Sequence, residues 1–313
     1  MNLPRQFSSI GSAELPPGPV HLAIGMFDGV HLGHRAVISP AVAAARQDAG
    51  TAVVLTFCPH PSAIFRPERA TRLIQDSRTK ARVLGRLGVQ AVITERFTDE
   101  FARIEAEAFL AWLKERLPGL VAVYVGDNFR FGHKRRGNLD LLRQSGNALG
   151  IAVTGAARVA VQGEPVSSTR IRAHLEAGEI EAANALLGYS YFAAGTVTPG
   201  KRLGRTLGFP TLNVPWAPDL RPRYGVYAVR LGGAEGEVAL PGVANYGVRP
   251  TVETTVEPKL EIHVLGDCPF DAGAELTVEW RHFLRAEMKF GNVEELRTQI
   301  ARDCEAAAAA LRA

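Results

Sequence analysis

The sequence has few cysteines and no long apolar run, and both absences exclude whole classes of protein. Its 313 residues include three cysteines, Cys58, Cys268 and Cys304, none of them in a C-x-x-C spacing. An odd number of scattered cysteines indicates neither a disulfide framework nor a zinc site, and fits a reducing compartment. No stretch approaches the roughly 18 apolar residues of a membrane span, and the first twenty residues lack a signal-peptide core. We therefore expect a cytoplasmic protein without membrane contact.

A strong charge of either sign is also missing. The formal net charge is +4, from 36 basic and 32 acidic residues. This balance fits an enzyme of polyanionic small molecules as well as a weak nucleic-acid binder, and it decides neither. Hydrophobic residues make up 46% of the chain, so a large core can form and extensive disorder is not expected. The length suits two domains.

The apolar pattern predicts an α/β domain in the first part of the chain. Short β-branched runs alternate with helical stretches up to about residue 187, which is typical of βαβ units around a parallel sheet. We place this domain at residues 1–186. Strands are predicted at 20–24, 52–57, 89–94, 121–126 and 150–155, and helices at 33–49, 77–87, 100–116, 138–148 and 170–177.

After Tyr189 the pattern changes to apolar runs separated by glycine or proline, which indicates an antiparallel barrel or sandwich. This second domain is predicted at residues 187–313. A last helix from about residue 292 spaces Leu296, Ile300, Cys304 and Leu311 along one buried face.

The stretch "GMFDGVHLGH", residues 25–34, joins the first of these strands to a helix. It places His31 and His34 near a helix N-terminus, where unpaired N–H groups and the helix dipole favour anions. A phosphate is the obvious ligand. On this motif alone, helix capping or packing explains the two histidines equally well.

Two further segments of the first domain favour an anion site. "VSSTRIR", residues 166–172, stacks three hydroxyls before a helix, as an N-cap or, with its arginine, as a second anion cradle. "VGDNFRFGHKRRGN", residues 125–138, follows a strand end, where ligands of open α/β sheets bind. Its aromatic and basic residues at 129–136 also suit a single-stranded nucleic acid, although no second basic cluster joins them. We predict that these segments converge on one sheet edge.

The second domain has its own cluster of polar residues. "GKRLGRTLGFPTLN", residues 200–213, is a glycine-rich basic loop that does not match the P-loop pattern G-x-x-x-x-G-K-[ST]. Thr211 and Asn213 share one face of an extended strand, so their oxygens can meet one Mg²⁺ ion. In "KLEIHVLG", Glu261 and His263 share the polar face, and a carboxylate there is explained equally well as a catalyst or as solvated surface.

The first domain resembles the nucleotidylyltransferase superfamily in its H-x-G-H at 31–34 and its "SSTRIR" at 167–172. The longer motifs "GMFDGVHLGH", "TFCPHP" and "GDNFRFG" resemble the flavin branch of that superfamily. The resemblance implies a Rossmann-like module that transfers AMP from ATP to FMN and releases pyrophosphate. It makes His31 and His34 catalytic, as ligands of the ATP phosphates that stabilise charge at the α-phosphorus.

The same resemblance assigns binding residues. Nucleotide contacts are implied for Gly25, Phe27, Asp28, Asn128, Ser167, Ser168, Thr169 and Arg172, with Asn128 also near the metal and the last four at the β and γ phosphates. Phe65 and Phe131 are implied to pack against the isoalloxazine ring.

The second domain resembles the riboflavin kinase family, a small antiparallel barrel with a C-terminal helix. The resemblance is carried by "GRTLGFPTLN", "GVYAVRL", "PGVANYGVRPT", "LEIHVL" and "LRAEMKFGNVEELRTQI". It implies that Thr211 and Asn213 hold Mg²⁺ and phosphate, and that Glu261 takes the proton from the ribityl 5′-hydroxyl. The implied nucleotide contacts are Gly200, Lys201, Gly204, Arg205, Gly208 and Phe209, and the implied flavin contacts are Arg285, Glu287 and Phe290.

The expected protein is therefore a bifunctional enzyme that uses Mg²⁺, with ATP, riboflavin and FMN as substrates and no nucleic-acid partner; self-association is left open. Two alternatives stand beside it: a flavin sensor, which would be expected to have lost His34 or Glu261, and an enzyme whose kinase alone works. The chain departs from the families at 266–273, in the proline-rich stretch 214–224, which suggests a flavin lid, and at Asn138, where aspartate is common.

Overall fold

The computed structural model describes residues 3–200, 203–233, 239–248 and 258–312. Contacts between Cα atoms divide the chain into two compact units, Met1–Ser167 and Ser168–Ala313. Within the described ranges, no helix is long and apolar enough to cross a membrane.

The first unit is built on a parallel sheet, as the alternating pattern predicts. Its six strands in the described residues have the order β1-β4-β3-β2-β5-β6, and all neighbours are parallel. The strands are β1 (Arg5–Phe7), β2 (Val20–Ile24), β3 (Thr51–Cys58), β4 (Ala91–Arg96), β5 (Leu120–Gly126) and β6 (Ala152–Ala156), followed by the hairpin β7 (Ala160–Val161) and β8 (Glu164–Pro165). Strand β2 is buried along its whole length, because helices cover both faces of such a sheet.

The helices of this unit are α1 (Leu32–Gln47), α2 (Pro61–Phe65), α3 (Ser77–Arg86), α4 (Asp99–Ala102), α5 (Ala106–Arg116) and α6 (Leu139–Leu149), with short 3-10 turns at Ile10–Ser12, Pro67–Arg69 and His133–Arg135. The helix predicted at 100–116 is thus two helices. The interruption has a physical cause: His133 N donates to Ile104 O at 2.7 Å, and Gly132 lies too close to Ala106 for any side chain. Asn138 caps α6 by accepting from Leu141 N at 2.9 Å.

The second unit contains an antiparallel sheet of six strands in its described residues, ordered β10-β13-β12-β11-β14-β9. They are β9 (Phe192–Thr196), β10 (Leu212–Pro215), β11 (Gly225–Gly232), β12 (Leu240–Gly247), β13 (Lys259–Val264) and β14 (Glu275–Arg285). The two outer strands meet where Thr198 N donates to Asn213 O at 2.8 Å, so the sheet curls into a nearly closed barrel. The barrel prediction is confirmed.

Its helices are α7 (Ser168–Ala177), α8 (Ile180–Leu187), α9 (Leu203–Thr206) and α10 (Val293–Ala310). Helices α7 and α8 belong to the same compact unit as the barrel, although the apolar pattern of the sequence predicts the domain boundary after them, at residues 186 and 187. Asn184 on α8 explains this, since its amide donates to Trp280 O at 2.9 Å and accepts from Tyr191 N at 2.7 Å. Arg223 N also donates to Leu175 O on α7 at 3.0 Å.

The proline-rich stretch 214–224 is anchored to the barrel and does not form a loose lid. The Trp216 ring lies 5.2 Å from Tyr246 and 5.3 Å from Trp280, centroid to centroid, and Leu220 is fully buried. The aromatic contacts of the partly buried Trp216 and the burial of Leu220 fix the path of the chain here.

Candidate active sites

The turn after β2 is held in one conformation by its own side chains. Phe27 and Val30 both have positive φ angles, 47° and 40°, which cost free energy in residues other than glycine. The Phe27 ring folds back under Gly25, where an added Cβ would lie 3.0 Å from the ring. Asp28 is buried and accepts from Ile74 N at 3.0 Å. The turn is therefore a rigid lead into α1.

His31 both caps α1 and lines the predicted anion site. Its Nδ1 accepts from His34 N at 3.3 Å, and the two imidazoles stack with centroids 3.5 Å apart. The capping and the phosphate-binding interpretations are thus compatible, because the cap itself uses only one of the two ring nitrogens.

His34 is held in its neutral form. The pKa of His34 lies well below its ordinary 6.5. The largest cause is burial of the ring, followed by the charge of the neighbouring His31 and then that of Lys80. The residue as a whole is partly exposed, but its Nδ1 is buried and has no hydrogen-bond partner among the described residues. Phe27 fixes the ring from the side, in an edge contact at 5.3 Å. At neutral pH this imidazole offers one N–H donor and no charge.

Two other predicted segments reach the same sheet edge within the first unit. Strand β5 lies beside β2, and Asn128 follows its end in an exposed position. The Val166 carbonyl oxygen lies 3.8 Å from the Cβ position of Gly33 at the start of α1. The unit boundary then falls inside the "SSTRIR" motif: Ser167 ends the first unit, while Ser168, Thr169 and Arg172 form the first turns of α7.

The two phenylalanines predicted to contact flavin have different surroundings. Phe65, on α2, is 61% exposed and packs against Phe97 with ring centroids 5.8 Å apart. Phe131 is 6% exposed and packs between Phe109 and Phe129, at 5.1 and 5.4 Å. Phe65 offers an open ring face to a ligand, whereas Phe131 belongs to the core.

In the second unit, a cavity of about 500 Å³ collects predicted residues from three segments of the sequence, 204–213, 261–263 and 285–290. It lies between the barrel and α10. The predicted site residues on its wall are Gly204, Phe209, Thr211, Asn213, Glu261, His263, Arg285, Glu287 and Phe290. Lys201 lies outside the described residues, as does the side chain of Arg205.

Strand register places three polar residues in one row. Asn213 on β10 and Asn245 on β12 both lie directly opposite Glu261 on β13. Cross-strand neighbours point to the same face, and all three line the cavity. Sequence reasoning missed Asn245, because only the pairing of β12 with β13 reveals its position.

A second cavity of about 480 Å³ adjoins the same row. Its wall includes residues 198–200, 213–217 and 258–261. Asn213 and Glu261 line both cavities. These two residues therefore form a wall that the two cavities share.

Glycines of the 200–208 loop make room for the oxygen ligands. A Cβ on Gly200 would collide with the Asn213 amide, and one on Gly204 would lie 3.3 Å from Thr211 Oγ. Gly208 has a φ of +86°, a backbone conformation that favours glycine. The backbone at Gly200 and Gly204 can lie close to Asn213 and Thr211 because these two positions carry no side chain.

The far wall of the first cavity is held by a buried ion pair. Arg285 donates to both carboxylate oxygens of Asp303 at 2.8 and 2.7 Å, and Gln299 donates to the same carboxylate at 2.9 Å. The Arg285 guanidinium also lies 5.9 Å from the Phe290 ring centroid. Asp303 was missed, although a charged residue on the predicted apolar face of α10 is a signal that could have found it.

Glu287 completes this wall. Its carboxylate lies against Gly247, and burial raises the pKa of the Glu287 carboxyl.

His263 is fixed by a contact of its Nδ1 with Pro210 O at 2.8 Å and by the edge of Phe209 at 5.5 Å.

Comparison with known proteins shows the family of the chain. The family model for FAD synthetase matches residues 16–170, and that for riboflavin kinase matches residues 187–311. The bifunctional riboflavin kinase/FMN adenylyltransferase of Escherichia coli K12 is 39% identical over 283 residues, which cover 90% of each chain. The chain belongs to this bifunctional family. It is an enzyme of flavin cofactor synthesis that joins a riboflavin kinase to an FMN adenylyltransferase.

More distant relatives give the same result. The proteins of that name from Listeria monocytogenes and Bacillus subtilis are 36% and 34% identical, over 90% of this chain and 89% of theirs. A crystal structure described as a macrolide-efflux protein from Streptococcus pneumoniae has a TM-score of 0.85 at 26% identity, covering 98% of this chain and 99% of the other. The similarity in fold thus extends over both units.

Proposed function

We propose that the two activities use separate sites, with adenylyl transfer at His31 and His34 and phosphorylation at Asn213 and Glu261. The functional module for adenylyl transfer corresponds to residues 1–186, and the module for phosphorylation corresponds to residues 187–313. The observation that carries the kinase assignment is that Asn213 and Glu261 line two adjoining cavities. A kinase needs two substrates to meet at one point, and this row of side chains supplies it.

In the kinase reaction, ATP occupies the cavity beside Gly200 and riboflavin occupies the cavity beside Arg285 and Phe290. Glu261 takes the proton of the ribityl 5′-hydroxyl as that oxygen attacks the γ-phosphorus. A new P–O bond forms to riboflavin, the bond from the γ-phosphorus to the bridging oxygen breaks, and ADP leaves. A carboxylate within reach of both substrates is suited to this general-base role. The nucleotide is wrapped by residues 200–209, which include Lys201, Arg205 and Gly208. Glu287 borders the flavin.

Mg²⁺ suits the oxygen atoms of this site. No group of three or more His, Cys, Asp or Glu that could hold a metal occurs in the described part of the chain. Mg²⁺ bound with a nucleotide needs only one or two protein ligands besides the phosphates. The Thr211 hydroxyl and the Asn213 amide oxygen, given space by Gly204 and Gly200, would hold the ion. When bound, it would neutralise charge on the β and γ phosphates.

In the adenylyl-transfer reaction, a phosphate oxygen of FMN attacks the α-phosphorus of ATP, and pyrophosphate leaves. No protein nucleophile is needed, since positioning and hydrogen-bond donors account for most catalysis of this kind. The N–H groups at the start of α1, His31 and neutral His34 are such donors. Ser167, Ser168, Thr169 and Arg172 are assigned to the β and γ phosphates.

The remaining predicted contacts of the first module are less direct. Gly25, Phe27 and Asp28 act by shaping the turn, because two of these side chains are buried. Asn128 is assigned to the nucleotide and its metal, and Phe65 to contact with the flavin, while Phe131, which is buried, is assigned to support of the flavin site from the core. Three free cysteines in the chain agree with the cytoplasm as the place of action.

The test is chromatography of the purified protein incubated with riboflavin, ATP and Mg²⁺, with flavins followed over time. FMN that appears first and then gives way to FAD supports the proposal. FMN that accumulates without FAD, even when FMN and ATP are supplied directly, would restrict the protein to its kinase activity.

A further inference from the structure

Lys80 is a buried cation that none of the predicted motifs includes. It lies on α3 and is 7% exposed. Its Nζ donates to Met26 O at 3.0 Å and lies 3.5 Å from Thr56 Oγ, which itself donates to Met26 O at 2.9 Å. The ammonium group thus joins three parts of the first unit: the turn after β2, the strand β3 and the helix α3.

Such a cation is costly to bury. Transfer of an ammonium group out of water destabilises a protein by several kcal/mol unless it is well compensated. Burial lowers the pKa of Lys80, and the charges of Asp28 and Cys58 oppose that effect. The Asp28 carboxylate is already engaged by Ile74 N at 3.0 Å. A methionine would fill the same space at lower cost, so the charge itself calls for a reason.

The position of Lys80 supplies one. Met26 lies between Gly25 and Phe27, in the turn whose positive φ at Phe27 aims its ring at His34. The Lys80 charge also acts on His34 directly, as one cause of the lowered pKa of that imidazole. The groups whose charges act on His34 and Lys80 come from four places: His31 at the start of α1, Asp28 in the turn, Cys58 at the end of β3 and Lys80 on α3.

We propose that Lys80 is a positioning residue for adenylyl transfer, which fixes the Met26 carbonyl and thereby the turn that presents His34 and the start of α1 to ATP. This inference rests on the proposed adenylyl-transfer site. Lys80 does not touch the substrates. It acts through the backbone of the turn and through its charge beneath His34.

The experiment compares Lys80→Met with a matched variant, Lys114→Met. Lys114 lies in the same unit and also donates to two carbonyls, Pro118 O at 2.9 Å and Leu120 O at 2.8 Å, but it lies at the other end of β5 from Asn128. FAD formation from FMN and ATP is measured as kcat and KM, and riboflavin phosphorylation is measured in the same samples. Carbon-13 NMR of labelled histidine rings gives the titration of His34.

We expect Lys80→Met to lower kcat for FAD formation about 100-fold, the effect of a misplacement of about 1 Å at a reacting group. KM for FMN and riboflavin phosphorylation stay unchanged. The titration midpoint of His34 moves to higher pH, because one cause of its lowering is gone. Lys114→Met changes neither, and Lys80→Arg recovers part of the lost rate. A lysine that only stabilised the fold would lower the amount of folded enzyme and leave kcat per folded molecule unchanged, without recovery in Lys80→Arg.

Equal kcat in Lys80→Met and the natural enzyme, or equal losses in the two Met variants, would overturn the proposal. If Lys80→Met does not fold, Thr56→Val replaces it: this variant removes the hydroxyl that binds Met26 O, and an unchanged kcat for FAD formation again overturns the proposal. His34→Ala is run in parallel. Full FAD formation in His34→Ala refutes the proposed site itself, whereas its loss together with an active Lys80→Met refutes the role of Lys80 alone.

Discussion

The two units build their proposed phosphate-handling sites in opposite ways. In the first, the residues follow the ends of β2 and β5, because parallel strands bring their carboxyl ends to one edge. In the second, Asn213, Glu261 and Asn245 lie within adjacent antiparallel strands and meet through register. The first site depends on loop backbone conformation and the second on strand pairing, so different substitutions should break each.

The chemistry follows this difference. The edge site offers uncharged donors: a helix N-terminus and the neutral imidazole of His34. The barrel site offers the carboxylate of Glu261 between two cavities. Donors alone suffice when the attacking group is a phosphate that is already ionised. A hydroxyl nucleophile must lose a proton, and in the barrel unit the carboxylate-bearing residue Glu261 lines both of these cavities.

The largest expected effect is that of Glu261→Gln on the barrel site. The amide keeps the shape of the side chain but cannot take up a proton, so kcat for FMN formation should fall about 10²- to 10⁴-fold. The measurement is riboflavin phosphorylation by purified variant and natural enzyme. FAD formation from supplied FMN is the internal control, and a fall in both activities in a folded variant would contradict separate sites.

The reciprocal change is His34→Ala at the edge site. Loss of one preorganised donor at a developing charge costs about 10²- to 10³-fold in kcat, here for FAD formation. Riboflavin phosphorylation should continue, so the variant should accumulate FMN. An FMN formation rate that falls in parallel would show that the two sites are coupled.

How far the sequence predicts the molecule follows the same division. The sequence predicts the positions of His31 and His34 in the edge site, because both lie in one local motif at a strand end and a helix start. It predicts only part of the barrel site. Thr211 and Asn213 are neighbours in sequence, but the pairing of Asn245 with Glu261 depends on contacts between distant strands. The predicted helix at 100–116 failed for a similar reason, since His133 intervenes from far along the chain.

Buried charges are the other feature that local pattern misses. Asp303 and Lys80 lie at positions where helical periodicity predicts apolar residues. Their partners, Arg285 and the Met26 carbonyl, are far away in sequence. Composition and spacing therefore place the elements, whereas tertiary contacts decide which polar side chains they bury.

The next expected effect is on stability and is confined to the barrel unit. Asp303→Asn leaves the Arg285 cation without its carboxylate and should lower the free energy of unfolding of this unit by about 3 kcal/mol, the lower end for a buried pair because Arg285 keeps some solvent contact. KM for riboflavin should rise, since Arg285 no longer holds its place beside Phe290. Denaturant unfolding followed by hydrogen exchange of peptides from each unit measures the change.

A double variant sharpens this test. Arg285→Met with Asp303→Leu removes both charges and should recover most of the stability, because an apolar pair avoids the cost of desolvation. Riboflavin binding should stay weak, since Arg285 is absent. Stability that remains low in the double variant would mean that packing, and not the unpaired charge, causes the loss.

The smallest effect is a pH dependence of opposite sign in the two units. The pKa of His34 is lower in the folded state than its ordinary 6.5, so below pH 6.5 the unfolded chain binds a proton that the folded chain does not. The stability of the first unit should therefore fall on acidification, by up to about 1.4 kcal/mol per pH unit.

The pKa of Glu287 is instead higher than its ordinary 4.5 in the folded state, so protonation of this group favours the folded barrel as the pH falls towards 4.5. Hydrogen exchange at pH 7.5, 6.5 and 5.5 measures the free energy of unfolding of each unit. In His34→Gln, the free energy of unfolding of the first unit should depend less steeply on pH. In Glu287→Gln, the free energy of unfolding of the second unit should change more negatively on acidification than in the natural enzyme. Slopes identical to those of the natural enzyme would assign the pH dependence to other groups.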